Sequence, residues 1–139
     1  MKVYFSHPTP TFRTRTETVC LEIINEYFDP DEIINPSNFG LKKDLKSTIQ
    51  KSNIVVGMAI ENKYTFLVWN EMEEGKKHGA DLYTIRAKDK ENIGPMEKGF
   101  PEVTRKLSRK QSEKFTGELL DENRSSLFSL LFGNWGSRF

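Results

Sequence analysis

Cysteine is almost missing: Cys20 is the only one in 139 residues. That excludes an intrachain disulfide and a zinc site built from several thiolates. Histidine is scarce as well, with two residues, and no metal site or cofactor is expected. No segment approaches the roughly 18 consecutive apolar residues of a membrane span. Met1-Lys2 runs straight into a strand-like segment instead of a charged leader with a long apolar stretch. The expectation is a cytoplasmic, soluble protein with no membrane partner. Charge of one sign is not in excess either. The net charge of +1 gives no general pull toward nucleic acid, which is not an expected partner. Residues 1–85 are slightly acidic and 86–139 slightly basic, read as a solvated mixed-charge tail. Walker-type loops, G-x-G-x-x-G, H-E-x-x-H and G-x-S-x-G do not occur.

What is present alternates between two periodicities. Lys2-Val3-Tyr4-Phe5-Ser6 reads as a first strand, stopped by His7-Pro8. Thr14-x-x-Glu17 is a capping-box pattern, and Val19, Cys20, Ile23, Ile24 and Tyr27 follow at helical spacing, predicting a helix over about 15–28. Cys20 is expected as a buried structural thiol. Glu32-Ile33-Ile34-Asn35 is a short second strand before Pro36. Leu41, Leu45 and Ile49 mark a helix over about 41–52. The apolar run 53–59 fits a central parallel strand. After a loop at 61–64, Thr65 caps a helix to about His78, closed by Gly79. Residues 82–85 form a fourth strand.

This order predicts an α/β fold: a parallel four- to five-stranded sheet flanked by helices, a flavodoxin/Rossmann-like three-layer sandwich. Residues 86–100 read as a loop, 102–105 as an edge strand, and Ser108 as the cap of a polar helix over about 109–120. Leu127, Leu130, Leu131 and Phe132 suggest a short apolar helix before a Gly-rich tail with Trp135 and Phe139. The organisation is a core over 1–100 and a helical extension and tail over 101–139, packed on the core or on a neighbouring subunit.

In an open parallel sheet, ligands bind beyond the carboxyl ends of the strands. That edge carries Ser6, His7 and Pro8, then Asn35 to Phe39, then Ala59 to Tyr64. Ser6, His7, Pro8, Asn35, Phe39, Ala59 and Asn62 are therefore candidate substrate contacts. His7 stays open between a base, a ligand contact and a turn residue. Arg13 and Arg15 flank a helix start where a phosphate could sit, or are simply solvated. In the third helix, at roughly 100° per residue, Val68, Met72, Gly75 and Gly79 share a face. Glu73 and Glu74 point away. Glu71 falls at the border, where partial desolvation raises a carboxylate's pKa and makes it chemically useful; the plain alternative is a solubilising glutamate.

These residues carry a resemblance. Met1-Lys2-Val3-Tyr4-Phe5-Ser6-His7-Pro8 resembles the opening M-K-I-Y-L-A-G-P of nucleoside 2-deoxyribosyltransferases. Ser52-Asn53-Ile54-Val55-Val56 is similar to that family's third-strand entry, A-D-x-V-V. Glu71 followed by Gly79 matches its catalytic Glu with a Gly eight residues on. Arg105 to Ser112 is similar to a segment of short archaeal and viral relatives. The likeness spans about residues 1–85. The chain departs from the pattern at His7, Asn53 and Glu73, and an equivalent of the family's sugar-binding Asp does not stand out.

The resemblance implies Glu71 as the catalytic nucleophile on the anomeric carbon of a nucleoside or nucleotide. The outcome is cleavage of the N-glycosidic bond or deoxyribosyl transfer, with the chemistry of retaining glycosidases. It also implies a homo-oligomer, a dimer, in which a neighbour's C-terminus can complete the site. Two other readings remain beside it. One is a non-catalytic nucleotide-binding or sensing module of the same fold. The other is an interaction protein that uses its C-terminal tail.

Overall fold

The computed structural model describes residues 1–39, 45–88 and 92–120. The chain is α/β, with a mostly parallel mixed sheet flanked by helices. Its strands are β1 (Lys2–Ser6), β2 (Glu32–Ile34), β3 (Ile54–Ile60), β4 (Lys63–Tyr64), β5 (Asp81–Ala87), β6 (Ile93–Lys98) and β7 (Arg105–Lys106); its helices are α1 (Arg15–Phe28), α2 (Leu45–Gln50) and α3 (Phe66–Lys77), and residues 109–120 are also helical (α4). Two short 3-10 turns, Thr9–Thr11 and Pro36–Asn38, follow β1 and β2.

Four parallel strands run side by side in the order β2-β1-β3-β5. They are the four strands expected from the apolar runs. Among the described residues the count reaches seven, because the expected edge strand joins these four and two expected loops also hold strands. Within 86–100, β6 pairs antiparallel with β5 across a bulge between Ile85 and Ala87. Its Gly94 and Pro95 obscure it in sequence, although a proline is tolerated on such an edge. Within 61–64, Glu61 and Asn62 both take left-handed backbone angles (φ 53° and 62°). They form the two-residue turn of a hairpin that pairs Ile60 with Lys63. The edge strand expected at 102–105 lies at 105–106 and pairs with β4.

The period of two along β1 and β3 divides the core. Val3, Phe5, Ile54, Val56, Met58 and Ile60 face one side, with Cys20 and Ile24 of α1 and Phe115 and Leu119 of α4. Tyr4, Val55 and Ala59 face the other, with Ile49 of α2 and Val68 and Met72 of α3. Each fully buried large side chain contributes roughly 1.5–3 kcal/mol. Ile49 packs the described part of α2 into the α3-side core.

Local signals set the helix ends. Thr14 Oγ1 accepts the Glu17 N–H at the start of α1, and Thr65 Oγ1 accepts that of Val68 at the start of α3. Ser108 and Gln111 form a reciprocal capping box at the start of α4. Leu107, Phe115 and Leu119 dock the described part of the extension on the α1-side core. Residues 41–44 of the second expected helix, the apolar helix near 127–132 and the aromatic tail lie outside the described residues. Among the described residues, no helix is long and apolar enough to cross a membrane.

Candidate functional site

Helix α3 packs directly on β3, and two glycines permit the close approach. A Cβ at Gly57 would meet Met72 Sδ at 2.0 Å, and one at Gly75 would meet Val55 Cγ2 at 2.5 Å. Glu71, one residue before Met72, is swung against β1.

There the period of two supplies its partners. Tyr4 and Ser6 lie two residues apart on β1 and face α3. The Tyr4 hydroxyl donates to Glu71 Oε2 at 2.6 Å, and the Ser6 hydroxyl donates to Oε1 at 2.7 Å. Glu71 is 8 % exposed, more deeply buried than its border position suggests, because the two glycines remove the usual stand-off between helix and sheet. Burial pushes its carboxyl above the ordinary range, and the two hydroxyl donors pull it back in part. The Tyr4 phenol is pushed up by burial and by the adjacent carboxylate. Among the described residues, Glu71 forms no ion pair. The result is a carboxylate with both oxygens fixed by neutral donors, beside the end of β1. It lies where the strand order reverses between β1 and β3, as open α/β sheets hold their ligands.

His7 turns to the opposite side. Its ring stacks on Phe5 at 4.2 Å with an interplanar angle of 15° and meets Phe12 at 4.6 Å. Nε2 lies 2.9 Å from Asn35 Oδ1, and Nδ1 lies 2.7 Å from Thr11 Oγ1. Asn35 Oδ1 also accepts the Ser37 N–H, which fixes it as an acceptor and makes His7 Nε2 the donor. Thr11 Oγ1 is also 2.5 Å from the Pro8 carbonyl. The carboxylate of Glu17 stands 3.6 Å from Nε2, accepting from the Ser37 hydroxyl and the Arg13 N–H. Burial lowers the His7 pKa, while Asn35 and Glu17 oppose that effect. With its ring enclosed and both nitrogens bonded, His7 acts as a joint between the β1–α1 loop and the turn after β2.

The other expected contacts divide between these surroundings and more distant ones. Pro8 and Asn35 are buried in the His7 joint. Phe39 is partly buried against the α3-side core. Ala59 is fully buried in that core. Asn62 is at the exposed hairpin tip, where its backbone carbonyl accepts from Arg105 N–H and its Oδ1 from Arg86. Neither Ala59 nor Asn62 bonds to Glu71. Arg13 and Arg15 are exposed, and the carboxylate of Glu17 already occupies the Arg13 N–H beside them.

Sequence reasoning misses Tyr4, Thr11 and the second role of Glu17, and includes Ser37 only as part of the strand-end segment Asn35 to Phe39. Tyr4 reads as one more strand aromatic. Glu17 reads as an ordinary cap, although its carboxylate reaches Arg13 rather than the Thr14 N–H of a standard box. The alternation of β1 carries a usable signal for Tyr4: a tyrosine and a serine at i and i+2 place two hydroxyls on one face.

Among the described residues, no cluster of three or more His, Cys, Asp or Glu side chains could hold a metal. Two surface concavities lie elsewhere. One, of about 570 Å³, is on the outer side of α3 at Asn70, Glu73 and Lys77. The other, of about 600 Å³, is at Asn62, Arg86, Lys88 and Pro95. No family model, curated protein or solved structure matches the chain.

Proposed function

We propose that this chain acts on the N-glycosidic bond of a nucleoside or nucleotide, as a hydrolase or deoxyribosyltransferase, with Glu71 as nucleophile. The observation that supports this most is the pair of hydroxyls from Tyr4 and Ser6 that hold both oxygens of one buried carboxylate. A nucleophilic carboxylate must meet the anomeric carbon along a defined line, and fixing it beforehand lowers the entropic cost of attack. It must also stabilise a positively charged oxocarbenium-like transition state, which a desolvated carboxylate does better than a hydrated one. The strand order β2-β1-β3-β5 matches the flavodoxin-like arrangement, in which ligands sit at the β1/β3 switch point. In this reading the fold is a Rossmann-like sandwich of the nucleoside 2-deoxyribosyltransferase type, and the chain assembles as a homodimer.

The test is base release from a panel of deoxynucleosides and deoxynucleotides, followed by chromatography. The unmutated chain releases base and Glu71→Gln does not. Failure of the unmutated chain to release base from any member removes the reading.

One feature favours a second reading, a nucleotide-binding or sensing module without turnover. The strand-end residues His7 and Asn35, expected to touch a ligand, are buried and bonded to each other. That module would show thermal stabilisation by a nucleotide with no base released.

A further inference from the structure

Among the described residues, Glu71 is a buried acid without a positive partner. Its two hydrogen-bond partners there are neutral hydroxyls, and none of the ion pairs includes it. On the same side of the sheet, Val55 of β3 and Val68 and Met72 of α3 belong to an apolar buried cluster. A separate proton donor is also missing beside it among the described residues. The Tyr4 and Ser6 hydroxyls are already committed to the carboxylate. His7 and Glu17, the other buried titratable pair, lie on the α1 side of the sheet and are bonded there.

These two features bear on the leaving base. A neutral purine or pyrimidine leaves as an anion unless an acid protonates it, and positioned general acids contribute typically 10²–10⁴-fold to rate. A base that carries a fixed positive charge leaves neutral and needs no acid. Its charge also meets the carboxylate that no described side chain neutralises, in surroundings where an ion pair gains more than in water.

We propose that the preferred substrate is an N-glycoside whose base is cationic, a pyridinium nucleoside or an N7-alkylated purine nucleoside, recognised by the carboxylate of Glu71. This rests on the glycosidic reading above and narrows it. A Glu71 oxygen forms a bond to C1′ as the C1′–N bond breaks, and the electron pair of that bond returns to the ring nitrogen and cancels its charge. Water then displaces the carboxylate from C1′. The products are the neutral base, the free sugar and one proton released to solvent, with Glu71 regenerated.

The experiment uses matched pairs: 2′-deoxyguanosine with 7-methyl-2′-deoxyguanosine, and guanosine with 7-methylguanosine. Members of a pair share the sugar and differ by one methyl group and its charge. For each pair, kcat/KM for enzymatic release is compared with the spontaneous rates in buffer. The expected result is a cationic-to-neutral ratio that exceeds the spontaneous ratio by at least about tenfold, lost in Glu71→Gln. Glu71-dependent release with no excess for the cationic member overturns the charge preference and leaves the glycosidic reading standing. No release from either pair or from the wider nucleoside panel overturns both. A binding measurement tests the charge preference without turnover. 1-Methylnicotinamide raises the melting temperature of the parent more than neutral nicotinamide does, and the difference vanishes in Glu71→Gln. Equal shifts from the two compounds overturn the proposal.

Discussion

Replacing Tyr4 by phenylalanine removes one oxygen and leaves the ring in place. Tyr4 is fully buried, so packing is nearly unchanged, and the effect comes from the 2.6 Å bond to Glu71 Oε2. With Glu71 ionised, that bond is charge-assisted and contributes about 1.5–3 kcal/mol. With Glu71 protonated, it is an ordinary neutral bond of about 0.5–1.5 kcal/mol. Tyr4→Phe therefore costs roughly 1 kcal/mol more above the raised pKa of Glu71 than below it. The substitution also removes a donor that lowers that pKa, so ionisation of Glu71 moves to still higher pH. Urea unfolding of both proteins at several values between pH 4 and 8 measures this. With slopes of about 1–3 kcal/mol per molar urea, the midpoint falls by about 1 M at the alkaline end. A loss that is the same at every pH refutes the argument, because it means that the hydroxyl does not distinguish the two forms of Glu71.

Glu71→Gln tests the same site by another route. A carboxyl with a raised folded pKa stabilises the fold at low pH, and that contribution is lost as pH rises through the folded value. The stability of Glu71→Gln relative to the parent should therefore increase with pH, and a gap that shrinks with pH contradicts the assigned burial. His7 has the opposite dependence. Its folded pKa is lowered, so its contribution is complete above the ordinary histidine range and is lost as pH falls toward the lowered value. His7→Gln should flatten the acid side of the stability profile in thermal melts. In Gly75→Ala, helix propensity favours alanine by about 1 kcal/mol. The new methyl, however, meets fully buried Val55 at 2.5 Å, and overpacking costs about 1–3 kcal/mol. The net result is a loss of up to about 2 kcal/mol in chemical denaturation, partly recovered by Val55→Ala. A gain in stability would show that α3 does not sit as close to the sheet as described.

Elements governed by neighbouring residues are legible in the chain itself. The four parallel strands show as short apolar runs, the caps at Thr14, Thr65 and Ser108 as side chains three residues from the N–H they accept, and the sheet-facing side of α3 as Val68, Met72 and Gly75 at helical spacing. Even the flank occupied by Glu71 follows from 3.6 residues per turn. By contrast, β6 and β4 are hidden, since a Pro- and Gly-containing edge and a two-residue hairpin have almost no period and exist through their pairing with β5, β3 and β7. The depth of Glu71 is hidden too. It depends on how near a helix and a strand approach, which is set by Gly57 against Met72 and by Gly75 against Val55. Local order along the chain thus specifies which residues form the main strands and helices and which face of each is apolar. Folding in three dimensions alone settles that Tyr4 and Ser6 bind Glu71 while His7 turns away to Asn35. Those partners are separated by 28 to 67 residues along the chain, and local chemistry carries no information over such distances.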